Sequence, residues 1–282
     1  MMGGVVASPF LAIAQYPARI LQIGFLYPGP QSTAPLRIKA ALTGLQAGGL
    51  RAPDQLAVVP AVTDGNAALL APLAANLAAR NVDLILAQSG AAVRAANAVT
   101  TTIPIVALDL ESDPIASGFI ASHARPGGNI TGVFLDFPEF SKKWLEALNE
   151  IVPKLSRVAV FWDPAMAPVQ LRAVEDAAQT LNLRLAVVEV RQWSDIEPAF
   201  QVATQQDAQA LLMLASPLIG GNPKPLAEMA LRHRLSAITV FTEFARHGGL
   251  MAYGPNLQGV IRQQGLLAAR VLLGSKPASS SL

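Results

Sequence analysis

Short apolar runs alternate with longer segments in which Ala and Leu recur at helical spacing. Ile20 to Tyr27 (ILQIGFLY) is apolar almost throughout and ends at Pro-Gly-Pro. This predicts a buried strand followed by a turn. Leu36 to Gln46 then has helical spacing, with Leu42 and Leu45 on one face. The same rhythm predicts strands over Gln55–Pro60, Val82–Ala87 and Ile103–Leu108, and helices over Asn66–Arg80 and Gly90–Thr100. It breaks between Asp109 and Phe137, a stretch rich in turn residues (ESDP, then ARPGGN).

A second series follows. Helices are predicted over Pro138–Glu150, Ala167–Leu181, Ile196–Gln205, Lys224–Arg234 and Gln258–Leu273. Strands are predicted over Arg157–Trp162, Arg184–Val190, Ala210–Ala215 and Ala237–Phe241, with Met251–Tyr253 short and extended. Continuously apolar strands separated by helices mark parallel sheets covered on both faces. The expected fold class is therefore α/β, with two Rossmann-like lobes of parallel sheet joined near Gly132 to Phe137. The first lobe is assigned residues 20–133 plus 251–274, the second 137–249, and the Ser-rich residues 275–282 form a flexible tail.

In such sheets ligands bind beyond the carboxyl ends of the strands. Position alone then selects Tyr27 and Pro28; Gln88, Ser89 and Gly90; Asp109; Trp162 and Asp163; Ser216; and Thr242 and Glu243. Gln88-Ser89-Gly90-Ala91 opens a helix. Its N–H groups could meet an anionic group, or Ser89 could be an ordinary N-cap; the sequence is equally compatible with both. Tyr27 and Trp162 offer aromatic faces to a ligand or to plain packing. Asp163 and Glu243 could receive an ammonium group or cap helices, and Pro164 after Asp163 favours a turn.

Composition narrows the functional classes. Of 282 residues, 52% are hydrophobic and 14% charged, so a well-buried core is expected. The net charge of +2 comes from scattered Lys and Arg, which argues against a nucleic-acid stripe or a polybasic membrane patch. Cysteine is absent, which removes disulfides, thiolate metal sites, cysteine nucleophiles and a lipidated N-terminal Cys together. Gly3 to Ala14 (GGVVASPFLAIA) is apolar and ends in Ala12-Ile13-Ala14, the small-residue pattern of signal-peptidase cleavage, without a preceding Arg or Lys. Residues 1–14 are read as a signal-peptide remnant.

Several chemistries find no support. Gly44 to Gly49 (GLQAGG) has neither Walker spacing nor the dinucleotide fingerprint. There is no G-x-S-x-G elbow. His123, His233 and His247 are far apart, and His233 between Arg232 and Arg234 reads as a solvated helix end. Asp109, Glu111 and Asp113 could do acid–base work, but beside Ser112 and Pro114 a turn is the simpler explanation. No cofactor, metal site or enzymatic activity is expected.

Two long motifs carry a resemblance. Ala124 to Val133 (ARPGGNITGV) and Gly248 to Asn256 (GGLMAYGPN) resemble signatures of the ABC transporter substrate-binding proteins that include tryptophan-type members. Ser112-Asp113-Pro114 and Glu150 to Pro164 (EIVPKLSRVAVFWDP) are similar in order and spacing, so the resemblance runs from Ile20 to Pro277. Physically, Gly127-Gly128 suits a reversal at positive φ, and Asn129 would bond its own backbone there. Gly254-Pro255 suits a rigid return to the first lobe, with Asn256 as N-cap of the last helix.

The resemblance implies a type I periplasmic-binding-protein architecture that closes on a small solute. It implies a periplasmic, monomeric protein that delivers the solute to ABC permease transmembrane subunits and binds no nucleic acid. Carried over by position, the ligand-facing residues are Tyr27, Gln88, Ser89, Asp109, Trp162, Asp163 and Glu243, and the expected ligand is an amino acid or a small aromatic carboxylate. Two departures stand out. Family members continue past the final helix with another strand and helix, whereas this chain ends at Leu282, and Gln88-Ser89-Gly90 stands where Gly-Thr or Gly-Ser turns are common. A sensory receptor of the same fold is the alternative.

If Trp162 faces the ligand, Trp162→Ala weakens binding more than tenfold, about 1.4 kcal/mol. Unchanged affinity of the folded variant in calorimetry removes Trp162 from the site.

Overall fold

The computed structural model describes residues 19–122, 127–135, 137–166 and 168–275. The N-terminal apolar segment, Ala124–Pro126 of the first motif and the Ser-rich tail lie outside these residues. The first lobe holds β1 (Leu21–Tyr27), α1 (Ala34–Ala47), β2 (Leu56–Val62), α2 (Leu70–Ala79), β3 (Leu84–Gln88), α3 (Gly90–Val99), β4 (Ile105–Asp109) and β5 (Ile130–Phe134). The second holds α4 (Phe137–Ile151), β6 (Arg157–Trp162), α5 (Val169–Thr180), β7 (Arg184–Glu189), α6 (Ile196–Gln205), β8 (Ala210–Met213), α7 (Pro217–Gly221), α8 (Pro223–Arg232), β9 (Ser236–Thr239), α9 (Thr242–Arg246) and β10 (Met251–Ala252). Helix α10 (Leu257–Leu272) closes the chain.

Each lobe contains a five-stranded sheet, ordered β2-β1-β3-β4-β5 and β10-β9-β8-β6-β7, and every pairing is parallel. Read from the other edge the second order is β7-β6-β8-β9-β10, so the two lobes share one topology. The strand order reverses between β1 and β3 and between β6 and β8. Crevices for ligands open at such switch points.

Side-chain alternation accounts for burial on both faces. Ile23, Phe25 and Tyr27 of β1 join one apolar cluster with Leu84 and Leu86 of β3. Leu26, Ile85 and Ala87, one position out of phase, join a second cluster with residues of α2 and α3. Successive side chains of a strand point to opposite faces, so a run that is apolar throughout needs helices on both sides.

Four short elements depart from the sequence expectation. The region Asp109 to Phe137 is not loop throughout, because Ile130–Phe134 is a strand paired to β4. Its central Gly132 weakens the apolar pattern; a Cβ there would lie 2.4 Å from Ala107 O, so close approach to β4 requires glycine. The extended segment Met251–Tyr253 is expected in the first lobe, but Met251–Ala252 pairs with β9 in the second sheet. The helices α7 and α9 follow strands predicted to be longer, since each strand ends where a backbone turn begins. In β2 the strand continues through Pro60, which an edge strand tolerates because no ladder N–H is needed on its open side.

The crossings between lobes lie between β5 and α4, and between β10 and α10. Asn256 caps α10 as expected, its side chain accepting from Gly259 N at 3.0 Å. Gly127 and Gly128 have φ of +71° and +104°. Asn129 differs from expectation: its amide donates to Ile103 O at 2.8 Å and Thr100 O at 3.3 Å, tying the turn to the loop before β4 rather than to itself. His233 is no solvated helix end, since its ring stacks on Phe200 at 5.1 Å and contacts Glu197 at 2.9 Å.

Helix α10 packs on α1 through two glycines. A Cβ at Gly44 would lie 2.0 Å from Arg262 O, and one at Gly265 would lie 2.1 Å from Ala41 O. Gly265→Val should therefore destabilise the protein by about 3 kcal/mol in chemical denaturation, the upper range for overpacking against backbone. Wild-type stability in this variant would show that the two helices separate freely.

Candidate ligand-binding cleft

The sequence-selected residues fall into layers around the meeting of the two sheets. Tyr27 is buried, with its hydroxyl 3.0 Å from Thr33 Oγ1 and the Arg37 guanidinium 4.5 Å over its ring. Gln88 accepts from Arg37 Nη1 at 3.0 Å and donates to Gln264 Oε1 at 3.0 Å. Gln264 in turn donates to Val106 O at 2.8 Å, so α10 is keyed into the first sheet through buried amides. Tyr27, Gln88 and Ser89 line a small cavity of about 20 Å³ with Arg37 and Glu111, walled from the second lobe by Ser216, Pro217 and Phe241.

Ser89 is held at φ 128°, a region that L residues rarely occupy, and its side chain accepts from Ala92 N at 3.2 Å. The next N–H, that of Gly90, donates to Glu111 Oε2 at 3.1 Å. The α3 N-terminus is thus served from within by Ser89 and Glu111. Of the two roles expected for this turn, Ser89 fills the N-cap, and the Glu111 carboxyl of the protein itself accepts from the helix end.

Asp109 lies beneath, fully buried. It accepts from Glu111 N at 2.9 Å, Ser112 N at 3.0 Å and the Ser112 hydroxyl. Burial, reinforced by the Asp109 charge and a hydrogen bond to Asp109, raises the pKa of the Glu111 carboxyl well above its ordinary range. The Gly90 N–H and the Arg37 charge oppose this. Asp113 forms the expected turn by accepting from Ile115 N and Ala116 N.

In the second lobe, Asp163 is 9% exposed and accepts from Ala165 N at 2.9 Å in a turn with Pro164. Burial raises its carboxyl above the usual range, while the Ala165 hydrogen bond and the Arg191 charge pull it back. Trp162 packs half-buried on the core of the second lobe, and its indole N–H is buried without a partner. Glu243, in the first turn of α9, meets Thr242 Oγ1 at 3.3 Å and Arg246 Nη1 at 3.8 Å.

A cleft of about 690 Å³ opens between the lobes. Its first-lobe wall is the Pro28–Pro30 loop, Asp64–Gly65 and the starts of α2 and α3; its second-lobe wall is 163–166, 191–193, Pro217–Leu218 and Asn222. These segments lie at the carboxyl ends of strands in both sheets. Prolines, Leu70, Met166, Leu218 and Trp193 make most of the surface apolar, and Asp64, Asp163 and Arg191 supply charge. Arg191 also holds Glu189 at 2.5 Å, and Asp64 accepts from Gln31 N at 2.8 Å.

Among the seven sequence-selected residues, Asp163 is on this cleft. Tyr27, Gln88 and Ser89 come together on the adjoining small cavity, with Asp109 below it, whereas Trp162 and Glu243 line neither. Trp193, Arg191, Met166, Leu218 and Asp64 were not selected. Trp193 and Arg191 follow β7, and Asp64 follows β2, two strand ends that the positional argument passed over. The usable signal was an isolated Trp in a polar turn (RQWSD) just past a strand.

Comparison with known proteins agrees with this architecture. The family model for ABC transporter substrate binding protein matches residues 36–281, and the chain belongs to that family. A tyrosine-binding protein of Clostridioides difficile strain R20291 is 24% identical over 194 residues, 68% of this chain. The match spans 55% of that relative's length. A conserved domain protein from Vibrio cholerae O1 biovar El Tor superposes with a TM-score of 0.85 at 19% identity, over 93% of this chain and 88% of the other. An ABC domain in complex with L-Trp from Streptococcus pneumonia superposes with a TM-score of 0.83 at 20% identity, over 94% and 88%. The fold is that of the type I periplasmic binding proteins.

The raised pKa of Glu111 makes a pH test. A carboxyl whose pKa is raised on folding stabilises the protein below its unfolded value, near 4.5, and that contribution is lost as pH rises through the folded value. Glu111→Gln keeps the shape of the protonated acid. Its stability relative to wild type should rise steadily from pH 4 upward in urea titrations, and a pH-independent difference would show that Glu111 is ionised in the fold.

Proposed function

We propose that this protein is the extracytoplasmic solute receptor of an ABC importer, capturing an amino acid of the tyrosine or tryptophan kind, or a small aromatic carboxylate, between its lobes. The observation that carries the reading is the cleft itself. It is walled by the carboxyl ends of strands from both sheets, is largely apolar, and has a few converging charged groups, the usual make-up of a small-molecule site. The relatives named above, one described as tyrosine-binding and one bound to L-Trp, support the ligand class. An aromatic ring would lie against Trp193, Met166 and Leu218. Arg191 would meet a carboxylate and Asp163 an ammonium group, each aided by the low water content of a closing cleft. Tyr27, Gln88, Ser89 and Asp109 shape the floor, with Trp162 and Glu243 supporting the second-lobe wall.

Closure follows from differential contact. A solute touching both walls favours the state in which the walls are near, and the closed form then docks on the permease. Among the described residues no helix is long and apolar enough to cross a membrane, which accords with a receptor working beside its transporter. The apolar N-terminal segment with its Ala-x-Ala end supports export.

The test is mass spectrometry of solutes released from natively purified protein, with a thermal-shift series of L-tyrosine, L-tryptophan and aromatic acids. A stoichiometric solute or a concentration-dependent rise in melting temperature is expected. Neither, across the whole series, would sink the aromatic ligand class. For a compound that binds, Trp193→Ala should weaken affinity about tenfold, and Asp163→Asn should selectively weaken ligands with an amino group.

A further inference from the structure

A residue without a side chain stands where the two lobes meet. Gly221 ends α7 in the second lobe and is buried. A Cβ built on it would lie 2.3 Å from Cδ and 2.7 Å from Cγ of Pro30, in the first-lobe loop that walls the cleft. The three atoms nearest that Cβ all belong to Pro30. Gly221 is not among the positive-φ glycines, so its backbone conformation is open to other residues. What excludes a side chain here is the opposite lobe, not the local fold.

Both sides of this contact are stiffly held. Pro30 O accepts from Thr33 N at 3.1 Å and Thr33 Oγ1 at 3.0 Å, while Pro28 O accepts from Gly65 N at 2.9 Å and Thr63 Oγ1 at 2.8 Å. Gly29 between them lies so close to the Tyr27 ring that a Cβ would fall 2.2 Å from its hydroxyl. Across the cleft, α7 is capped by Ser216, which accepts from Ile219 N at 3.2 Å, and Asn222 donates to Leu218 O at 2.7 Å. Gly220 lies flat on the Phe241 ring. Neither side can yield easily. The lobes also meet where Arg94 Nη2 donates to Ala165 O at 3.4 Å.

We propose that the Pro30–Gly221 contact is the closing stop of the clamp. The prolyl ring seats on the bare α-carbon of Gly221, and this seating sets how far the lobes approach and hence the size of solute retained. The inference rests on the hinge-closure reading above. A side chain at position 221 would clash only in the closed state. It would therefore prop the cleft open while leaving each lobe intact. Shortening Pro30 to Ala removes the two nearest clashing atoms, Cγ and Cδ, and should restore closure.

Closure can be read without any solute. The chain has no cysteine, so Arg94→Cys with Ala165→Cys gives a single reporter pair across the cleft. Its bridging by a short bismaleimide accumulates even rare closures. Gly221→Val should slow bridging by about tenfold, because the overpacked contact exists only when the lobes meet. Gly221→Val with Pro30→Ala should return the rate to near that of the reporter alone. The unbridged variants should share one melting temperature, which verifies folding. An undiminished rate in Gly221→Val would overturn the stop, as would a loss that Pro30→Ala leaves unrelieved. Since no ligand enters this measurement, a failure of tyrosine and tryptophan to bind would count against the proposed ligand class and leave this result standing.

Discussion

Backbone meets backbone where α10 crosses α1, at Gly44 and Gly265. Most of the molecule depends on that approach. The chain leaves the first lobe after β5, builds the second sheet, and must then return so that α10 can cover the first sheet. Gln264, buried on α10, accepts from Gln88 and donates into β4, which adds a polar key to the packing. A helix that came no closer than ordinary side chains allow would lose this key. The return also makes the lobe connection multiple rather than single, which restricts the lobes to bending about a narrow strip.

The site inherits its place from topology. Both sheets reverse strand order at their first strand, and both present the carboxyl ends of that strand and its neighbour to the same gap. The Pro28–Pro30 loop and the Asp163–Met166 turn face each other for this reason. The polar groups at the strand ends are divided between two tasks. Those on the first lobe, Arg37, Gln88, Asp109 and Glu111, are spent on one another in a buried network. Those at the cleft surface, Asp64, Asp163 and Arg191, face the gap between the lobes. The first set gives the floor rigidity; a floor of unpaired groups would cost desolvation without return.

This division explains how the positional argument fared. The strand-end residues Tyr27, Gln88 and Asp109 lie at or beneath the small cavity, because the last residue of a strand is still anchored in the sheet. The walls begin directly after two strands, at Pro28 and Asp163, and run on through the turns that follow, to Pro30, Met166 and Trp193. Nothing in local periodicity tells how far such a turn reaches. Trp162 shows the converse: an aromatic at the strand end was drawn into the lobe's own packing.

The alternation of apolar and amphipathic segments was enough to determine the α/β class, the two lobes and nearly all the helices, since buried parallel strands and their covering helices must each satisfy a local pattern. Single residues with a fixed backbone role, such as Asn256 and the Gly127-Gly128 pair, were legible for the same reason. Tertiary structure alone decided the strand at Gly132, the pairing of Met251–Ala252 with β9, the internal use of Glu111 at α3 and the bare meeting of Gly221 with Pro30. Each of these depends on what lies opposite in space, and an opposing surface leaves no periodic trace in the segment that meets it.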